Sequence, residues 1–325
     1  MKELSRRAAL SLAAGMPALP AAAQTAAEFP QRPVRILVPQ PPGSASDVIL
    51  RRLATRLSQT WNQAVVVDNR PGGGVLLATE QVAKAPPDGH TLLFTYTDHI
   101  FYPHYHERLP YDALADFAPI TTVVSQSMIL VVHPSVPANN IQELIALARA
   151  RPGELNFASV ASGGSLHLAV ELFKALTRTE MTHVPYRGSG PAITDLLAGR
   201  VQFMAPTQVT ALPMIARGGV RALGVSSPQR LPQAPELPTV AEQGVPGYTT
   251  AVWYGILAPA GTPPALIQRL NRDIVEAVNA REVREPLESG GVTIETRSPE
   301  QFAELLRTDF RRYGDVIRAA NIRLD

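Results

Sequence analysis

At 325 residues, with 45% hydrophobic, 6% aromatic and 18% charged side chains, the chain is too long for one average domain and too apolar for disorder. One large or two medium α/β-type domains with real cores are left. It has no Cys, which excludes disulfide scaffolds, thiolate metal sites, Cys nucleophiles and a lipidated Cys anchor, and its formal charge of +2 is fully accounted for by Lys2, Arg6 and Arg7 less Glu3. The remainder is near neutral, so neither nucleic acid nor an anionic membrane is an expected partner.

The first stretch reads as a signal peptide over 1–23. Charged residues to Arg7 precede an apolar run over 8–19, and Ala21, Ala22 and Ala23 close it ahead of Gln24. Ser5, Arg6 and Arg7 fit a twin-arginine signal as well as an ordinary secretory one, so both export routes stay open. No later hydrophobic run reaches the ~18 residues a membrane span needs. An exported, periplasmic protein is expected.

From Pro33 short β-branched runs alternate with helical periods. A strand over 34–38 leads into a Pro, Gly and Ser loop over 41–47, after which Leu50, Leu53, Ala54, Leu57 and Trp61 recur at helical spacing. The order repeats with a strand over 64–68, a loop over 70–74, a helix over 75–85 and a strand over 92–96. A second series gives strands over 128–133, 155–159, 181–184, 201–204 and 221–225, with helices over 141–150, 165–176 and 191–198 between them. A strand over 252–258 and helices over 264–280 and 299–320 lack a third core and should pack back on the first lobe. The expected fold class is α/β and two-lobed, each lobe a mixed, mainly parallel sheet flanked by helices. Lobe 1 is discontinuous, 30–127 plus 252–325; lobe 2 is 128–251; a ligand cleft lies between them.

The informative positions are those where strands end and helices begin. Gly43, Ser44, Ala45, Ser46 and Asp47 put small residues over a helix N-terminus, where unpaired N–H groups and the helix dipole favour an anion. Ser162, Gly163, Gly164 and Ser165 recreate the arrangement in the second series, and Arg187 to Pro191 does so again. One such loop alone is equally a capped turn. Ligands of open α/β sheets sit outside the carboxyl ends of strands, so loops from two lobes would face one another across one cleft.

These residues, with Val38-Pro39, Pro41-Pro42-Gly43 and Asp47, the runs VVDNRPG at 66–72, APPDGHT at 85–91, LPYD at 109–112, DFAP at 116–119, VHPSV at 132–136, HVPYRG at 183–188 and LAPAGTP at 257–263, resemble one family from about Phe29 to the C-terminus. It is that of the Bug-type extracytoplasmic solute receptors of tripartite tricarboxylate transporters. The resemblance implies a type II-like Venus-flytrap periplasmic binding protein that holds a small organic carboxylate and delivers it to a membrane permease. It implies a carboxylate held by backbone N–H groups and water at the Gly-rich loops. Gln40 replaces the Phe usual in the family, and its amide can donate and accept. Where members that take amino-bearing ligands place an Asp, after the strand over 201–204, this chain has Ala205, Pro206 and Thr207. An acidic partner for an ammonium is not expected there.

The expected ligand contacts are therefore Gln40, Gly43, Ser44, Ala45, Ser46, Asp47, Tyr96, Thr97, Ser162, Gly163, Gly164, Ser165, Thr207 and Trp253. Asp47 is expected to organise its loop rather than touch an anion, and Tyr96 or Trp253 to cover the ligand body. No catalytic residue, metal or cofactor is expected, and the receptor should act as a monomer. The alternative is a metal-dependent periplasmic hydrolase built on the loop from His99 to His106, which also carries His104 and lies beside Asp98. A serine hydrolase fits less well, since Ser189 lacks the G-x-S-x-G elbow.

Overall fold

A computed structural model describes residues 29–72, 75–160 and 162–322. The signal-peptide reading over 1–23 lies outside them. The strands are β1 (Val34–Val38), β2 (Val65–Asn69), β3 (Thr91–Tyr96), β4 (Phe117–Ser127), β5 (Ile129–Val132), β6 (Asn156–Val160), β7 (Thr182–Tyr186), β8 (Phe203–Met204), β9 (Arg221–Val225), β10 (Ala251–Pro259) and β11 (Thr293–Ile294). The helices are α1 (Ala45–Trp61), α2 (Leu76–Ala83), α3 (Ile141–Ala150), α4 (Ser165–Thr177), α5 (Ser189–Leu197), α6 (Gln208–Ala216), α7 (Pro264–Asn279), α8 (Arg281–Ser289) and α9 (Pro299–Ala319).

Two sheets result, in the orders β11-β4-β10-β3-β1-β2 and β7-β6-β8-β5-β9. The first draws on residues from both ends of the chain. The second is formed by the middle. Both are mixed, but parallel pairing is confined to β3-β1-β2 in the first and β7-β6-β8 in the second, and β10 and β5 run antiparallel to both of their neighbours. The expected predominance of parallel pairs is corrected here for a physical reason. The chain enters β10 from the second half and β5 straight from β4, and neither strand has a crossover helix before it.

The local elements follow from the sequence. In α1 the expected stripe of Leu50, Leu53, Ala54, Leu57 and Trp61 is buried, Ser44 caps its N-terminus by accepting the Asp47 N–H, and Asn62 ends it in the left-handed region at φ 49°. In α9 Ser298 and Gln301 form a capping box. That helix packs on β4 and on α4, so it touches elements of both halves.

The chain passes between the halves at Met128 and again before Ala251, and these crossings lie side by side. Ala251 pairs with Ser127, the Ser226 hydroxyl donates to Thr250 O at 2.5 Å, and it accepts the Met128 N–H at 2.8 Å.

Candidate functional site

Between the two sheets lies a cavity of about 460 Å³, lined from the first half by Gln40, Ala45, Tyr96, Asp98, Gln126 and Tyr254 and from the second by the loop Ser162 to Leu166, Ser189, Met204 and Thr207. A larger, shallower depression of about 760 Å³ is lined wholly by residues 134–237 of the second half and receives no residue from the first. The central cavity has the size of a small organic molecule and the expected position outside strand ends.

Its walls are built by helix N-termini. Ala45 opens α1, Ser165 opens α4, Ser189 opens α5, and Thr207 is the N-cap of α6; all line the cavity. The first N–H groups of a helix have no intrahelical acceptor, and the dipole adds positive potential there. Among the described residues, no Lys, Arg or His lines the space. An anion in it would be met by dipoles and hydroxyls.

The first loop is braced from below. Asp47 accepts the Gly43 N–H at 2.9 Å and the Arg51 Nε–H at 3.0 Å, and the Arg51 guanidinium holds its carboxyl below the ordinary range. Arg51 also donates to Asn69 Oδ1 at 3.1 Å, and Asn69 donates to Gln40 O at 3.0 Å. The Ser46 hydroxyl donates to Gln40 Oε1 at 2.7 Å. Through this chain of bonds the Asn of VVDNRPG fixes Gln40 at the cavity wall.

Several of the expected contacts spend their polar groups inside the protein. Gly43, Ser44, Ser46 and Asp47 do not line the cavity: the Gly43 N–H goes to Asp47, the Ser44 N–H to Pro41 O, and Ser46 and Asp47 are buried beneath the loop. Asp47 organises the loop, as its charge suggested. In the second loop the Gly163 N–H donates to His167 Nδ1 at 3.0 Å, and Gly163 O accepts the Tyr105 hydroxyl at 2.8 Å from the first half. Ser165 Oγ donates to Asp98 Oδ1 at 2.5 Å, again across the cavity.

Thr97 and Trp253 lie elsewhere. Thr97 is buried and accepts the Trp253 N–H at 3.0 Å, which pins the start of β10. The Trp253 indole is 3% exposed, packs edge-on to Phe302 and lines a separate cavity of about 500 Å³. Strand alternation is the reason: Val252 and Tyr254 point to the central cavity and Trp253 to the opposite face, while on β4 Gln126 faces the cavity and Ser125 and Ser127 face away.

Sequence reasoning missed Asp98, Gln126 and Tyr254 as wall residues, and left Ser189 out of the expected contacts although it marked its loop, 187–191, as a helix N-terminus suited to an anion. The alternation of β10 pointed to Tyr254 once Trp253 was assigned to the core. Asp98 was read only beside His99, His104 and His106. That alternative site does not assemble: His99 is buried with Nε2 on Ala113 O at 2.9 Å, His104 Nε2 lies 2.9 Å from Phe310 O, and His106 stacks on Tyr102. Among the described residues no three His, Cys, Asp or Glu side chains converge as metal ligands.

Comparison with known proteins identifies the family. The model of the tripartite tricarboxylate transporter family receptor matches residues 49–322. A Pseudomonas protein described as a UPF0065 protein in the tcbD-tcbE intergenic region is 41% identical over 96% of this chain and 93% of its own length. Protein BugT of Bordetella pertussis is 36% identical, covering 94% of each. Among solved structures, R. palustris Rpa4515 with adipate is 34% identical, with a TM-score of 0.75 over 91% of this chain and 99% of that one. The chain belongs to the tripartite tricarboxylate transporter receptor family, and is a periplasmic solute receptor rather than an enzyme.

Proposed function

We propose that this family member captures a small organic carboxylate in the central cavity and hands it, as a monomer, to a membrane permease of the tripartite type. The observation that carries the reading is the meeting of the α1, α5 and α6 N-termini at one cavity without a cationic side chain among its lining residues. Two or three charge-assisted hydrogen bonds at ~1.5 to 3 kcal/mol each supply much of the ~8 kcal/mol of a micromolar complex. Burial of the ligand body against Tyr96 and Tyr254 adds the rest. The adipate held by the R. palustris relative is a ligand of this chemical kind.

In this reading the Ala45 N–H, Ser189 and Thr207, at the α1, α5 and α6 N-termini, receive the carboxylate, while Gln40 and Tyr96 orient the body. Gly43, Ser44 and Asp47 hold the first loop in shape. The lobes are 30–127 plus 252–325 and 128–251, and they close about the paired crossings.

The test is mass spectrometry of small molecules released on denaturing the purified protein, followed by a thermal-shift screen. A carboxylic acid among the released molecules, and a rise in Tm with that acid, is the expected result. Stabilisation by neutral sugars or by cations, with no carboxylic acid active, would refute the reading.

A further inference from the structure

Asp98 is not explained by a cavity built to hold an anion. It sits on the short 3-10 turn Thr97–Ile100 that follows β3, half-buried, with access to solvent through the cavity it lines. Its Oδ1 accepts the Ser165 hydroxyl, and the Ser165 N–H and the Tyr96 side chain bond to the same carboxylate. The α4 N-terminus therefore already holds an anion, supplied by the chain itself. A second carboxylate placed there would meet Asp98 at contact distance and be repelled.

No cation offsets it. Among the described residues lining the cavity, Asp98 is the single charged side chain. The titratable groups around it are Tyr96, Tyr102, Tyr105 and Tyr254, each raised above its ordinary range by burial first and by Asp98 second or later. Burial likewise raises Asp98 to about 6. A carboxylate left this way in a wall made otherwise of hydroxyls, amides and apolar groups lacks only its counter-charge.

We propose that the ligand is a carboxylate that also carries an ammonium group, its anionic end at the α1, α5 and α6 N-termini and its ammonium against the Asp98 carboxylate. The inference rests on the carboxylate-receptor reading and narrows it. It is compatible with the absence of an acid at Ala205, Pro206 and Thr207, because an acid stands on the other wall, just after β3.

The test is titration calorimetry at pH 8 with matched pairs that differ by one ammonium, such as glutamate against glutarate and 4-aminobutyrate against butyrate. It is repeated on Asp98→Asn, which keeps an acceptor for Ser165 and whose fold is checked by circular dichroism. The amino-bearing member of at least one pair should bind wild type more than tenfold tighter than its partner. Asp98→Asn should erase that preference. Tighter binding of the plain acids, or a preference that survives Asp98→Asn, overturns the inference and leaves the carboxylate reading standing. Binding by no member of either class overturns both.

Discussion

At the scale of single residues, the first Gly-rich loop separates shape from contact. Gly43 has φ +82° with open space where a Cβ would stand, and its N–H is held by Asp47. Gly43→Val should therefore cost roughly 1–2 kcal/mol of stability through left-handed backbone strain rather than by blocking the ligand. Ser44→Ala removes the α1 cap and should cost about 1 kcal/mol. Urea denaturation checks both values, and calorimetry should find affinities within a few fold of wild type. A wild-type denaturation midpoint together with lost binding would place these residues in contact with the ligand. On β10, Trp253→Phe should leave affinity unchanged, whereas Tyr254→Ala should weaken it about tenfold or more; the reverse order would contradict the assigned faces. The sequence held the alternation that separates Tyr254 from Trp253. It did not hold the cavity-wall placement of Asp98, whose role arises from Ser165, distant in the chain and brought across the cavity by the fold.

Among the elements, helices with clear apolar stripes were legible and polar buried ones were not. The expected helices match α1, α2, α3, α4, α5, α7 and α9 to within a few residues, but β4 as far as Ser127 was missed, although this strand lies between β10 and β11. Its Thr121, Thr122, Ser125, Gln126 and Ser127 are buried yet polar, and the Thr121 and Thr122 hydroxyls are satisfied by Arg297 O and Glu295 O. Such distant partners leave no local signal. Helix α6 was missed because Pro213 stands inside it, and α8 because Ala280 breaks α7 with extended backbone before it. The α6 N-terminus at Thr207 became legible as part of the site only through the fold. Buried histidines give these elements a pH dependence. Burial lowers His99 and His183 from 6.5 to about 4, with His167 stacked 3.7 Å from His183. Both stay neutral in the fold while the unfolded chain takes up protons, so stability present above pH 6.5 is lost as the pH falls toward 4. Asp98, raised to about 6, acts with the opposite sign over part of that range. Thermal unfolding should thus show a lower Tm at pH 4.5 than at pH 7, with a steeper fall in Asp98→Asn; a flat profile in both proteins would contradict the two histidine assignments.

For the whole molecule, the family was legible because its motifs mark turns and strand ends, where backbone geometry restricts the residue types. VVDNRPG illustrates this: Asn69 and Asp68 tie the end of β2 to Arg51, Arg35 and Arg70. The paired crossings at Ser127 and Ala251 form a narrow connection, and contacts such as Tyr105 to Gly163 and Ser165 to Asp98 join the facing walls. Small-angle scattering should accordingly show an equal or smaller radius of gyration with saturating ligand; an increase would contradict closure of two lobes on a cleft. The central claim is that backbone N–H groups at helix N-termini receive the anion. Amide NMR during titration with the carboxylate released from the purified protein tests it directly. The largest shifts should fall on Ala45, Ser189 and Gly190, with Arg70 and Arg187 little changed. Shifts centred on those arginines, or on the depression lined by residues 134–237, would contradict it.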